Sequence, residues 1–93
     1  MSRFAPDSRP RLARGARLRW DEARQRHVVL FPEGALSLNA TAAAVLGLCD
    51  GERTVAAIIA ELEAQYPGAP VAEDVHDLLD RIAERGLLVD ADA

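Results

Sequence analysis

The chain has 93 residues, of which 49% are hydrophobic and 28% are charged, a composition that argues against a disordered chain or several domains. Its lone cysteine, Cys49, and the lack of a long apolar run lead us to expect a cytoplasmic protein without disulfides, signal peptide or membrane span. The net charge of −4 is uneven, because residues 1–31 sum to +5 and residues 32–93 to −9. Such a separation of charge guides association with partners more than it determines fold.

The first half of the chain predicts an arm and a small antiparallel meander. Residues 1–10 contain two prolines and little apolar content, so we expect a flexible arm before a single domain at residues 11–90. Residues 15–20 alternate between apolar and arginine side chains, residues 27–31 are β-branched and aromatic, and residues 35–38 alternate again. These patterns predict three strands separated by short turns.

The second half predicts three helices and a closing strand. Asn39 is a good N-cap for a helix over residues 40–49, and Thr54 caps a second helix with apolar side chains at spacings of three and four. A third helix is predicted over residues 71–85, followed by a short strand at residues 87–89. The apolar stripe of this helix consists of Val71, Val75, Leu78, Leu79 and Ile82, and Arg81 and Arg85 lie near its end, where cations suit the helix dipole. The layout predicts an α+β, winged helix-turn-helix-like fold with an N-terminal three-stranded antiparallel sheet, a three-helix bundle and a C-terminal strand.

The sequence carries no recognisable catalytic or metal-binding constellation. His27, Cys49 and His76 fall in three different predicted elements and lack the close paired spacing of zinc ligands. Ser37 and Thr41 would need a base within hydrogen-bond reach to act as nucleophiles, and only folding could bring His76 to them. We therefore expect no catalytic residues, no metal, no cofactor and no enzymatic activity.

A winged helix-turn-helix layout also suggests DNA binding, with the third helix as the recognition helix. Residues 71–86 carry five acidic residues and two arginines, so this helix would be repelled by the phosphate backbone. The pattern therefore favours a protein partner over nucleic acid.

The third predicted strand is a candidate binding edge. In residues 34–38, Leu36 and Leu38 would face the core, whereas Ala35 and Ser37 would face outward and leave room for a partner. An extended peptide can add to such an edge as a further strand. The alternative is a strand that the protein itself covers.

Several short motifs, in order and at suitable spacing over roughly residues 10–89, resemble the PqqD family. They are Trp20, Phe31-Pro32-Glu33-Gly34, Leu38-Asn39-Ala40-Thr41-Ala42, Leu48-Cys49-Asp50-Gly51-Glu52-Arg53-Thr54-Val55, Asp74-Val75, Leu78-Leu79 and Arg85-Gly86-Leu87-Leu88.

The resemblance implies a recognition element for ribosomally synthesised and post-translationally modified peptides (RiPPs). Such a protein would bind the precursor peptide PqqA and present it to the radical-SAM enzyme PqqE during pyrroloquinoline quinone (PQQ) synthesis, without contacting nucleic acid or membrane. A relative that serves another modified-peptide pathway is the alternative. A monomer and a dimer that exchanges elements are both compatible with the sequence.

The resemblance also implies where the peptide lies, because the leader peptide of this family runs along the third strand and against the third helix. The implied peptide-binding residues are Gly34, Ala35, Leu36, Ser37, Leu38, His76, Leu79, Asp80 and Ala83. Trp20 is expected to pack under the sheet, and Arg17 and Arg19 are candidates for the surface that faces the enzyme.

Overall fold

The computed structural model describes residues 3–92, which form one small α+β domain. The elements are β1 (Pro10–Leu12), β2 (Arg17–Asp21), β3 (Arg26–Phe31), β4 (Gly34–Ser37), α1 (Ala40–Gly47), α2 (Val55–Gln65), α3 (Val71–Glu84) and β5 (Leu88–Asp90). The predicted combination of three helices with antiparallel strands is confirmed, while the winged-helix comparison stays a prediction. None of the described helices is both long and apolar enough to cross a lipid bilayer.

The strands form two antiparallel sheets. β2, β3 and β4 make a three-stranded meander with β3 in the middle, and β1 pairs with β5 in a separate two-stranded sheet. The register of the meander aligns Leu18, Val29 and Leu36 in one row across the three strands. Val29 is fully buried in the core. Since side chains alternate between the faces of a sheet, this row identifies the face on which the core lies.

The core is built mainly from the three helices. The apolar stripe predicted for α3 is buried along its whole length, at Val71, Val75, Leu78, Leu79 and Ile82. It packs together with the buried sides of α1, α2 and the meander in one continuous cluster. The helical periodicity of the sequence therefore identified the core side of α3 correctly.

Two predicted helix caps are confirmed by hydrogen bonds. The side chain of Asn39 accepts a hydrogen bond from the amide of Ala42 at 2.8 Å, and that of Thr54 accepts one from the amide of Ala57 at 3.1 Å. α1 ends at Gly47, two residues before the predicted end, and Cys49 lies buried just after it. The Asn39 cap fixes the point at which the chain leaves β4 and turns into α1.

The N-terminal segment, for which the sequence predicts a flexible arm, makes several contacts with the domain; its first two residues lie outside the described part of the chain. Phe4 is buried in the core cluster, and Ser8 is buried as well. The carbonyls of Pro6 and Ser8 accept hydrogen bonds at 3.0 and 2.9 Å from the first two backbone amides of α2. Because the first amides of a helix have no partner within the helix, the segment satisfies them and covers that end of α2.

The prediction that Trp20 packs under the sheet is wrong, because 48% of the residue is exposed. Its ring contacts His27 edge-on with centroids 5.0 Å apart, and its indole nitrogen donates to Glu22 at 2.8 Å. The ring borders a cleft of about 560 Å³ between the β2–β3 hairpin and α1. The α1 side chains in this cleft are too short to cover an indole: Ala40, Ala43 and Ala44.

Candidate peptide-binding groove

β4 is a free edge of the meander among the described residues, since it pairs only with β3. The amide of Leu38 donates to the carbonyl of His27 at 2.9 Å, which fixes the phase of the β3–β4 ladder. Residues of an antiparallel strand alternately direct their backbone groups toward one neighbour and then the other. The amides and carbonyls of Ala35 and Ser37 therefore point away from β3, toward the open edge.

A cleft beside this edge, which we call the β4–α3 groove, has two adjoining parts. The part next to β4 has a volume of about 260 Å³ and is lined by Leu36, Ser37, Leu38, Asn39, Ala42, Leu78, Arg81, Ile82 and Arg85. The part at the start of α1 has a volume of about 700 Å³ and is lined by Asn39, Thr41, Ala42, Asp74, Asp77, Leu78, Asp80, Arg81 and Glu84. The strand edge thus borders a surface that is apolar at its base and charged along α3.

The charges along the groove change sign. The part beside β4 contains two arginines, Arg81 and Arg85, and no acidic residue. The part at the start of α1 contains three aspartates, one glutamate and Arg81. A peptide lying in the groove would therefore meet a basic region first and an acidic region next, which gives it a preferred direction and register.

A smaller apolar depression adjoins the acidic part of the groove. It has a volume of about 160 Å³, lies between the end of α2 and the start of α3, and shares Thr41, Asp74 and Leu78 with the groove. Tyr66 borders it and is 47% exposed. The depression extends the apolar surface that lies within reach of the groove.

The structure brings together only some of the predicted peptide-binding residues. Leu36, Ser37 and Leu38 line the groove, and Gly34 and Ala35 lie exposed on the same edge strand.

The predicted α3 residues fit less well. Asp80 borders the acidic part of the groove, whereas Leu79 is fully buried, and its role as a peptide contact stays a prediction. Ala83 packs against the core cluster, and neither Ala83 nor His76 lines the groove. Successive helical residues are rotated by about 100°, so the contacts implied by the resemblance lie about one position from the face that borders β4.

Four residues of α3 and its C-cap line the groove beside β4 and were not among the predicted contacts: Leu78, Arg81, Ile82 and Arg85. The sequence predicts Leu78 and Ile82 as part of the core stripe, and it places the two arginines near the helix end, where cations suit the helix dipole. Their spacing of three and four residues places all four on one side of α3, and that spacing was the available signal.

The one thiol of the chain lies apart from the groove. Burial and, to a smaller extent, the charge of Asp50 raise the pKa of Cys49 from 9.0 to about 12, so the thiol stays protonated at neutral pH. Its sulfur donates to the carbonyl of Val45 at 3.4 Å. Among residues 3–92, no three side chains of His, Cys, Asp or Glu are grouped in a way that would hold a metal ion.

Residues 26–88 match the family described as Coenzyme PQQ synthesis protein D (PqqD). A curated relative from Methylococcus capsulatus (strain Bath), named PqqA binding protein, is 41% identical over 81 residues, which cover 87% of either chain. A relative of the same name from Azotobacter vinelandii is 43% identical over 86 residues, covering 91% of this chain and 94% of that one. These matches include nearly the whole domain.

One solved structure has the same architecture. It is the NMR structure of the PqqD truncation of Methylobacterium extorquens PqqCD, described as a functional and stand-alone RiPP recognition element. It aligns with a TM-score of 0.79 at 39% identity and covers 95% of this chain and 96% of its own. The fold described above is thus similar to that of a protein described as a RiPP recognition element.

Proposed function

Because this chain belongs to the PqqD family, we propose that it is a non-catalytic adaptor that binds the precursor peptide PqqA and presents it to the radical-SAM enzyme PqqE. The observation that carries this proposal is the open edge of β4, where the backbone groups of Ala35 and Ser37 point away from the sheet. A leader segment of PqqA would add there as a fourth strand, antiparallel or parallel to β4.

The two walls of the groove would contribute different parts of the recognition. β4 offers backbone hydrogen bonds, which any extended peptide can form. α3 offers Arg81 and Arg85 at one end and Asp74 and Asp77 at the other, which select the charges of the peptide. Affinity for PqqA would therefore depend on both walls, and discrimination between peptides mainly on α3.

Presentation to PqqE follows from what the groove leaves exposed. Strand addition uses one edge and one face of the leader segment, so the remainder of the peptide stays accessible to a second protein. A protein that binds but does not react needs no nucleophile or metal of its own. The names of the relatives from M. capsulatus and A. vinelandii, PqqA binding proteins, support the peptide-binding part of the proposal.

The test is a calorimetric titration of PqqA into the protein and into Ser37→Pro. Proline at position 37 removes an amide that points outward, so the pairing of β4 with β3 is retained. Loss of one backbone hydrogen bond at a desolvated edge costs about 1 to 3 kcal/mol, which corresponds to about 5- to 150-fold in affinity. We expect one-to-one binding to the parent chain and a weakening of this size in Ser37→Pro.

The matched control is Ser37→Ala, which removes the hydroxyl but keeps the amide and is expected to bind PqqA within about twofold of the parent. Circular dichroism and a melting curve would establish that both variants are folded. Equal affinity of folded Ser37→Pro and the parent would exclude strand addition at β4. Absence of binding to the parent would reject PqqA as the ligand, and precursor peptides of other modified-peptide pathways would then be titrated in the same way.

A further inference from the structure

On the face of the meander that is turned away from the core, each strand contributes a different type of side chain. Residues of this face form two rows across the three strands, Arg19–Val28–Ser37 and Arg17–Leu30–Ala35. In each row an arginine lies on β2, an aliphatic residue on β3 and a small residue on β4. A further pair on this face, Asp21 of β2 and Arg26 of β3, lies at the hairpin end, where Asp21 pairs with Arg24 at 3.5 Å. We call the six residues of the two rows the outer sheet face.

No helix covers this surface in the described part of the chain. The core lies on the opposite face, with fully buried Val29, and α1 packs on that side. Leu30 is 42% exposed on the outer sheet face, although it occupies the middle of the central strand. Val28, also on this face, is buried without belonging to the core cluster. An exposed aliphatic centre with a charged rim is typical of a protein interaction site.

The charge of the rim is not neutralised by the chain itself. Ion pairs among the described residues involve Arg9, Arg24 and Arg53, whereas Arg17 and Arg19 take part in none of them. Two adjacent arginines on one strand would favour a partner that presents carboxylates. The acidic residue on the same side of β2, Asp21, pairs with Arg24, and the acidic residues of α3 border the groove instead of this face.

The outer sheet face also continues onto the proposed peptide site. Ala35 and Ser37 belong to this face and at the same time form the free edge of β4. A peptide strand added beside β4 would lengthen both rows by one residue each, since side chains of neighbouring strands lie in register. A protein docked on this face would therefore contact the adaptor and the bound peptide together.

We infer that the outer sheet face is the surface on which the modifying enzyme docks, through carboxylates that meet Arg17 and Arg19 and an apolar side chain that meets Leu30. This inference rests on the proposed adaptor function and adds the location and chemistry of its second interface. The docked enzyme would recognise the complex with peptide better than the free adaptor, because the added strand enlarges the surface it contacts.

The test measures association of purified PqqE with immobilised protein, with and without saturating PqqA, for the parent chain, Arg19→Glu and Leu30→Ser. Arg14→Glu is the matched control, because it makes the same change of charge at an exposed arginine outside the three-stranded sheet. We expect Arg19→Glu to weaken binding of PqqE about tenfold or more, Leu30→Ser to weaken it severalfold, and Arg14→Glu to leave it within about twofold. Binding of PqqE to the parent, but not to Arg19→Glu, should fall as salt is raised from 50 to 300 mM.

Titration of PqqA into the same variants separates this inference from the proposed function. Unchanged PqqA affinity together with loss of PqqE binding supports the outer sheet face as the enzyme site. The inference is overturned if Arg19→Glu binds PqqE as tightly as the parent does, or if Arg14→Glu is weakened equally. It is also overturned if the parent binds PqqA but not PqqE, a result that leaves peptide binding intact. A parent chain that fails to bind PqqA contradicts the proposed function itself.

Discussion

The two walls of the groove are stabilised in different ways. α3 is held in place by a stripe of five buried apolar residues. The side chains on its other faces are not needed for packing and are available for contacts with a partner. β4 has four residues, of which only Leu36 is even partly buried, and it pairs with a neighbour on one side alone. One wall is thus supported by packing, whereas the other depends on a single ladder of hydrogen bonds and ends at the Asn39 cap.

This difference assigns separate roles to the walls. A strand edge forms backbone hydrogen bonds with peptides of many sequences, so in the proposed complex β4 would supply affinity without much selectivity. A helix presents side chains at fixed positions, so α3 would supply selectivity. Substitutions in the α3 stripe should alter the stability of the domain, whereas substitutions at the groove surface should alter binding without altering stability.

The largest effect is expected from Leu79→Ala. Leu79 is fully buried in the α3 stripe, and removal of its side chain would leave a cavity that costs about 2 to 5 kcal/mol in the free energy of unfolding. Leu30→Ala on the exposed sheet face is the matched control and should cost less than about 1 kcal/mol. Urea denaturation measures both, and comparable losses for the two variants would contradict the contrast between buried and exposed surfaces.

A smaller effect is expected at alkaline pH, through Cys49 behind the helical wall. Its pKa is raised from 9.0 to about 12 in the folded protein, so the folded state retains a proton that the unfolded state releases. The corresponding stability is complete below pH 9 and is lost as the pH rises toward 12, by about 1.4 kcal/mol per pH unit. Between pH 9 and pH 10.5 the loss should reach roughly 2 kcal/mol.

Cys49→Ala provides the control for the alkaline effect, because every other titrating group is shared with the parent. The free energy of unfolding of this variant should fall by about 2 kcal/mol less over the same pH interval. Parallel pH profiles for the two proteins would show that the buried thiol does not contribute.

The smallest effect is expected from single charges on the groove surface. Arg81→Ala should weaken PqqA binding by about 0.5 to 1 kcal/mol, or two- to fivefold, without a change in melting temperature. His76→Ala, one of the contacts that the sequence implied, should leave the affinity within about twofold, because His76 does not line the groove. A larger loss of affinity for His76→Ala than for Arg81→Ala would indicate that the face of α3 implied by the resemblance, and not the face that borders the groove in the structure, contacts the peptide.

The fold was predictable from the sequence where the signal is periodic or local. The stripe of α3 and the caps at Asn39 and Thr54 follow from spacing and side-chain chemistry within a few residues. The sequence did not predict the pairing of β1 with β5. These strands have three residues each, and they begin 78 positions apart, at Pro10 and Leu88. The sequence did not predict the packing of Phe4, because a single aromatic residue in a polar segment forms no periodic pattern that would indicate burial.

The candidate site was predictable only on its strand wall. Alternation predicts which residues of β4 face outward, since the two faces of a strand are fixed by a period of two. On α3, Leu78 and Leu79 are both apolar and both buried, so the sequence does not indicate which borders the groove. Which of the two borders the groove depends on the rotation of the helix about its axis relative to the meander, and this rotation is determined by tertiary packing.

The course of the N-terminal segment affects how the protein can be joined to other molecules. The amide of Arg3 donates to Asp80 at 2.9 Å, so Arg3 lies beside the acidic part of the groove. At the other end, Ala91 donates to the carbonyl of Arg9, next to β1. An affinity tag, a surface linker or a fused enzyme placed before Arg3 would therefore emerge where the peptide is expected to lie, whereas one placed after Asp92 would leave beside β1. Protein prepared for binding measurements should carry its tag at the C-terminus.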